Sequence, residues 1–165
     1  MAAPTTFPGD VHISGSLTCG SFTPSSGSVT NASVSASAAI QATKLEHQYP
    51  LTYARDGTAA SATIPIHCAY GATGDIISVK AGSVAIAVGA ATVTVDLKKN
   101  GSTCLSSVIT LDTGNTAYVG EAGTLNTTTY VAGDVFTLVI VATAGGGTLP
   151  TGLFVTVILR EDAAP

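Results

Sequence analysis

From Tyr49 onward, apolar and polar positions alternate in short runs of strand length. The runs are Thr63 to Gly71, Ile76 to Gly89, Ala91 to Lys99, Thr103 to Leu111, Asn115 to Leu125, Asp134 to Thr143 and Gly152 to Glu161. They are rich in β-branched residues and separated by Gly, Asn, Asp and Pro, which is the signature of strands joined by turns. The clearest hairpin is Lys98-Lys99-Asn100-Gly101-Ser102, because Asn and Gly tolerate the positive φ that both centres of a two-residue turn require. Its tip is expected to be solvated. Val93, Val95 and Leu97 then face Leu105, Val108 and Ile109 across the pair.

Before residue 50 the pattern changes to small polar residues with isolated apolar ones. Residues 11–23 alternate like a strand, and "TPSSGS" from Thr23 to Ser28 has the composition of a turn or linker. Ser33 to Gln48 reads either as a helix, with Val34, Ala38, Ile40 and Leu45 on one loose apolar side, or as an extended arm with one turn. The chain therefore divides into an N-terminal arm over 1–48 and a β domain over 49–165. Short strands without intervening helices predict an all-β, antiparallel β-sandwich. The turn at Ala132-Gly133-Asp134 before a long apolar strand favours a jelly roll, with an immunoglobulin-like sandwich as the second choice.

Charge changes the picture. Only 10% of the 165 residues are charged and the mean hydropathy is +0.45, yet no run is long and apolar enough to cross a bilayer. A surface so poor in charge is expected to be covered by other subunits, since free surfaces carry roughly 25–35% charged residues. The net charge of −4 and the scattered Lys and Arg give no field for a phosphate backbone, so nucleic acid is not an expected partner, nor is a membrane. Residues 1–10 lack the basic and apolar regions of a secretory signal, which predicts assembly in the cytoplasm. Cys19, Cys68 and Cys104 form no CxxC pair and point to reduced thiols rather than a disulfide scaffold. The sequons at Asn31, Asn100 and Asn126 are expected by chance in a chain this rich in Ser and Thr.

Candidate chemistry is sparse. His67 and Cys68 are adjacent, so a regular strand sends them to opposite faces, with Cys68 buried and His67 half-exposed. His12 lies in the arm and His47 at the end of the helix-or-arm segment. Cys104 and Cys19 read as small apolar fillers. Asp10, Asp56, Asp75, Asp112 and Asp134 each stand beside Gly or a turn residue, where a carboxylate accepts backbone amides and makes turns. "DTGN" at Asp112 to Asn115 matches an aspartic-protease tripeptide but has no second copy and reads as a hairpin loop. "ATAGGGTLPTG" lacks the Lys of a phosphate loop, so the Gly triplet serves a turn or a close approach to a neighbouring chain. No catalytic residue, metal ligand or cofactor is assigned. Tyr49, Tyr53, Tyr70, Tyr118 and Tyr130 are candidates for stacking on sugars, although core and interface positions are their expected use.

The arm carries one family resemblance. Val11-His-Ile13-Ser-Gly15-Ser-Leu17 is followed by Gly27-Ser-Val29-Thr-Asn31-Ala-Ser-Val34, then by Ser35-Ala-Ser-Ala-Ala-Ile40 and Lys44-Leu45. This resembles the N-terminal part of structural proteins of tailed bacteriophages, among them fibre-like proteins and small capsid decoration, or cement, proteins. The resemblance implies a homotrimeric virion protein with a jelly-roll knob, whose arm grips other chains. Elementary energetics points the same way. Ordering an extended residue costs roughly 1–2 kcal/mol, and a buried Val, Ile, Leu or Phe returns roughly 1.5–3 kcal/mol. Val11, Ile13, Leu17 and Phe22 therefore do not order residues 9–34 unaided; a partner must complete them.

The expectation is a non-enzymatic decoration protein on the capsid surface of a virion, bound to the major capsid protein. Val11, Ile13, Leu17, Phe22, Val34, Ile40 and Leu45 are its attachment residues. There are two alternatives: a fibre or spike protein with a glycan- or receptor-binding knob, which shares the fold, and, from another class, a bacterial carbohydrate-active enzyme or carbohydrate-binding module.

Overall fold

The computed structural model describes residues 47–71 and 73–162, and these form an antiparallel β-sandwich with no helix among them. The seven arm residues from Val11 to Leu45 lie outside the described residues. The strands are β1 (His47–Thr58), β2 (Ala62–Cys68), β3 (Gly74–Ala85), β4 (Thr92–Lys99), β5 (Ser102–Thr103), β6 (Ile109–Leu111), β7 (Glu121–Ala122), β8 (Thr129–Tyr130), β9 (Val135–Thr143) and β10 (Thr151–Glu161). One sheet runs β1-β10-β3-β7, with β8 also on β3. The other runs β2-β9-β4-β5, with β6 also on β4. Taking β5 with β6 and β7 with β8 as two interrupted strands, the sheets follow the double Greek-key order of a jelly roll.

Alternation explains the core. Val79, Ala81, Val155 and Val157 from the first sheet face Val93, Val95, Leu97, Leu138 and Ile140 from the second, and all are buried. The predicted Asn100-Gly101 turn is present, with φ of 50° and 85° at the two centres. Across it, Val93 pairs with Leu111 and Val95 with Ile109. Val108 is a correction: it is exposed, because β5 ends at Thr103 and the chain leaves the ladder until Ile109. There Ser106 N–H donates to Thr124 O, and Cys104 O accepts from Asn126 N–H, which draws the segment toward the opposite sheet. The run from Thr103 to Leu111 is thus two short strands, and that from Asn115 to Leu125 retains only β7.

His47 and Gln48 open β1 and are not the end of a helix. β1 is absent from the strand-length runs above because Pro50, Arg55, Asp56 and Gly57 break its apolar pattern. It pairs with β10 from His47 opposite Glu161 to Thr58 opposite Thr151, with the register shifting between Arg55 and Thr58. Among the described residues β1 and β2 each stand at one edge of their sheets, on the same side of the sandwich. Each contains an exposed proline, Pro50 and Pro65; lacking an N–H, proline is tolerated at an edge and blunts it against further pairing. Between these edges Tyr49, Leu51, Tyr53, Ile64 and Ile66 are only partly buried against the core.

The Gly triplet serves its own chain. Gly145 and Gly146 take φ of 54° and 85°, and a Cβ on Gly147 would collide with the carbonyl oxygen of Val88. Glycine is needed there so that two backbone segments can touch.

Candidate functional site

Much of the charge collects at the end of the sandwich where β1 begins. Asp75, Lys99, Asp134, Arg160, Glu161 and Asp162 all sit there, at the start of β3, the end of β4, the turn before β9 and the end of β10. Asp75 is not a turn-maker, as expected from sequence, but lies within β3 and pairs with Arg160. Asp112 and Asp134 do make turns. Gly114 N–H donates to Asp112 Oδ1 at 2.7 Å, and Val131 N–H donates to Asp134 Oδ2 at 2.9 Å.

The hairpin tip is exposed but not loose. Asn100 Nδ2 donates to Asp134 Oδ1 at 2.6 Å, and Val135 N–H donates to Asn100 Oδ1 at 2.8 Å. Lys99 Nζ lies 3.5 Å from Asp134 Oδ2. This network bolts the β4–β5 turn to the turn before β9. The Val131 amide, helped by Asn100 and Lys99 and opposed by burial, holds the Asp134 carboxyl below its ordinary pKa.

At the same end the rings converge. A register shift between Pro65 and His67 leaves Ile66 as the extra residue and sets His67 opposite the buried Phe136. His67 therefore faces inward, while Cys68, opposite Val135, faces out. The two do point apart, but Cys68 is exposed rather than buried, because the bulge returns His67 to the core face. The His67 ring stacks on Phe136 at 6.2 Å and meets Tyr49 edge-on at 5.7 Å. Tyr49 Oη and His67 Nε2 share a hydrogen bond of 3.2 Å.

Tyr130 meets Phe136 edge-on at 5.6 Å, and its hydroxyl donates to Arg160 O at 3.1 Å. Burial, reinforced by its interaction with Tyr49, pushes the Tyr130 phenol pKa up, so it stays protonated. Above this cluster is a hollow of about 220 Å³ lined by Tyr49, His67, Ala69, Tyr70, Tyr130 and Glu161.

Three of the five tyrosines singled out from sequence are thus brought together. Tyr53 lies farther along β1, and Tyr118 stands apart on a loop, exposed and at φ 63°. His67 and Glu161 were not foreseen as neighbours of those rings. His47 and Glu161 are cross-strand partners, a relation that becomes visible only once β1 is placed beside β10.

No group of three or more His, Cys, Asp or Glu among the described residues is placed to hold a metal ion. Cys104 is fully buried, and desolvation raises its pKa, so its thiol is kept protonated and out of reach. In the folded protein an aromatic disulfide reagent is expected to label Cys68 rapidly and Cys104 only after unfolding. Equal labelling rates for the two, resolved by peptide mapping, would contradict this placement. Comparisons with protein-family models, curated proteins and solved structures give no match.

Proposed function

We propose that this chain is a non-enzymatic structural subunit of a tailed-bacteriophage virion: a homotrimeric capsid decoration protein held on the major capsid protein by its N-terminal arm. The observation that supports this reading is the sparseness of charge in the chain, of which only 10% of residues are charged. Thr52, Ala54 and Thr156 on one sheet, and Thr63, Val139 and Val141 on the other, are uncharged outward positions, interrupted by Lys80 on the first sheet and by Asp96 and Lys98 on the second. Part of the charge gathers at the end where β1 begins. Such walls suit side-by-side packing around a three-fold axis, which leaves the charged end in water. The phage-like arm motifs supply the rest, and the capsid surface is then the place of the protein.

The test is removal of residues 1–44, which leaves β1 whole. The shortened chain is expected to keep the β-type circular dichroism spectrum and cooperative melting of the parent while losing cosedimentation with undecorated capsids. Retained capsid binding would overturn the role of the arm, and a monomer in sedimentation velocity of the full chain would overturn the trimer.

A second reading, a fibre or spike subunit with a receptor-binding knob, is favoured by one observation, the ring-lined hollow. Electron cryomicroscopy of the virion separates the two. Copies spread over the whole shell mean decoration, whereas a few at the tail or a vertex mean a fibre.

A further inference from the structure

We propose that the hollow between Tyr49, His67, Tyr70, Tyr130 and Glu161 is a binding site for a single neutral pyranose ring of a saccharide. The lining residues all belong to the sandwich, and sugar binding is tested apart from capsid binding, so the site stands or falls separately from the decoration role. At about 220 Å³ it is smaller than pockets built for drug-sized ligands, roughly 300–1,000 Å³. That is the scale of one sugar unit.

The lining has the two kinds of surface that a sugar presents. Tyr70 is 95% exposed, a large ring left in water with no packing to account for it. It offers a stacking platform for the apolar face of a pyranose at the rim of the hollow. Glu161 offers a carboxylate that accepts hydrogen bonds from ring hydroxyls, and such charge-assisted bonds are the stronger kind. Its backbone is pinned on both sides, by His47 of β1 and Gly74 of β3, so the acid is presented from a fixed strand.

The floor is rigid for the same reason that the core is. His67 rests on the buried Phe136, and Tyr130 is buried with its hydroxyl committed to Arg160 O. A preformed floor lowers the entropy lost when a small ligand binds.

The alternative ligand for tyrosines with one carboxylate is a quaternary ammonium ion, held by cation–π contacts in a cage of ring faces. Geometry disfavours it. One face of His67 is already covered by Phe136, and Tyr49 meets His67 at an interplanar angle of 60° with its hydroxyl bound to Nε2. The rings do not present converging free faces. The exposed Tyr70 at the rim suits a ring-shaped ligand instead.

The experiment titrates the full-length, isotope-labelled protein with D-glucose, D-galactose, N-acetyl-D-glucosamine and L-rhamnose, and separately with choline, following backbone amide signals. At least one of the four sugars is expected to give saturable shifts concentrated at Tyr49, His67, Tyr70 and Glu161. Tyr70→Ala should weaken that binding about tenfold, the equivalent of about 1.4 kcal/mol for a lost ring contact. Glu161→Gln should weaken it as well, while Tyr118→Ala, which removes an exposed ring elsewhere, should not. Tyr70 is at the surface, so its replacement leaves the fold intact. The proposal is overturned if none of the four sugars moves these signals, if binding survives both Tyr70→Ala and Glu161→Gln, or if choline alone binds.

Discussion

Phe136→Ala is expected to destabilise the sandwich by about 3–5 kcal/mol. Phe136 has no exposed surface and lies on β9, the strand between β2 and β4 in the middle of its sheet. Its ring is shared by His67 on one side and Tyr130 on the other. Truncation removes the transfer energy of the ring and leaves a cavity whose walls are anchored. Tyr130 is held by its hydroxyl to Arg160 O, and His67 by Tyr49. Such a site cannot collapse freely, so the upper part of the range applies. Against the roughly 5–15 kcal/mol that stabilises a typical domain, this is a large fraction. Urea denaturation should show a fall in the transition midpoint with the slope unchanged. Tyr118→Ala, at an exposed position, should stay within about 0.5 kcal/mol of the parent. A loss below about 1 kcal/mol at Phe136 would mean that this cluster is not part of the cooperative core.

The same comparison shows what the sequence could reveal. β2, β3, β4, β9 and β10 were legible because each alternates β-branched and polar residues between clear breakers, and the Asn100-Gly101 turn because it needs two positive φ angles. β1 was not. Pro50 and the Arg55-Asp56-Gly57 stretch look like loop, and what makes β1 a strand is its pairing with β10, a contact distant in sequence. The broken stretches around Cys104 and Glu121 failed for a related reason: their polar and apolar order suits a strand, but hydrogen bonds between the sheets pull them off the ladder. His67 was legible as inward or outward only up to the bulge at Ile66, since one extra residue reverses the facing of everything after it. The hollow was legible as a set of isolated tyrosines. Their meeting depends on β1, on that bulge and on the end of β10 together, and none of the three is a local property.

The placement of charge links the fold to the proposed role. A β-sandwich whose two outer walls carry mainly Thr, Val and Ala with few charges, and which gathers a cluster of ionic groups at one end, presents different chemistry along its length. Sparsely charged walls associate through shape and burial, with a desolvation cost limited to the few charges that must leave water. Pro50 and Pro65 limit main-chain addition along β1 and β2, so the proposed subunit contact would rest on side chains of the walls. The charged end is tied by the Asp75–Arg160 and Lys99–Asp134 pairs.

That end makes the acid response of the protein predictable. Asp134→Asn is expected to cost about 2 kcal/mol near neutral pH, because it replaces an acceptor of charge-assisted hydrogen bonds by a group that turns a donor toward other donors. The carboxylate takes bonds from Val131 N–H and Asn100 Nδ2 and faces Lys99, while only 7% of the residue is exposed. The asparagine amide can accept on one side only, so either Val131 N–H or Asn100 Nδ2 loses its partner. The sign of the pH dependence follows from the lowered pKa of Asp134. The unfolded chain takes up this proton at a higher pH than the folded one. The contribution of Asp134 is therefore complete above its ordinary carboxylate pKa and is lost as pH falls from there through the lower folded value. Stability measured by urea denaturation should fall more steeply with acid in the parent than in Asp134→Asn, and the two profiles should converge at the acid end. Parallel profiles would show that the turn before β9 is held without the charge, by the Asn100 backbone bond to Val135 O and the Gly133 bond to Ala69 O.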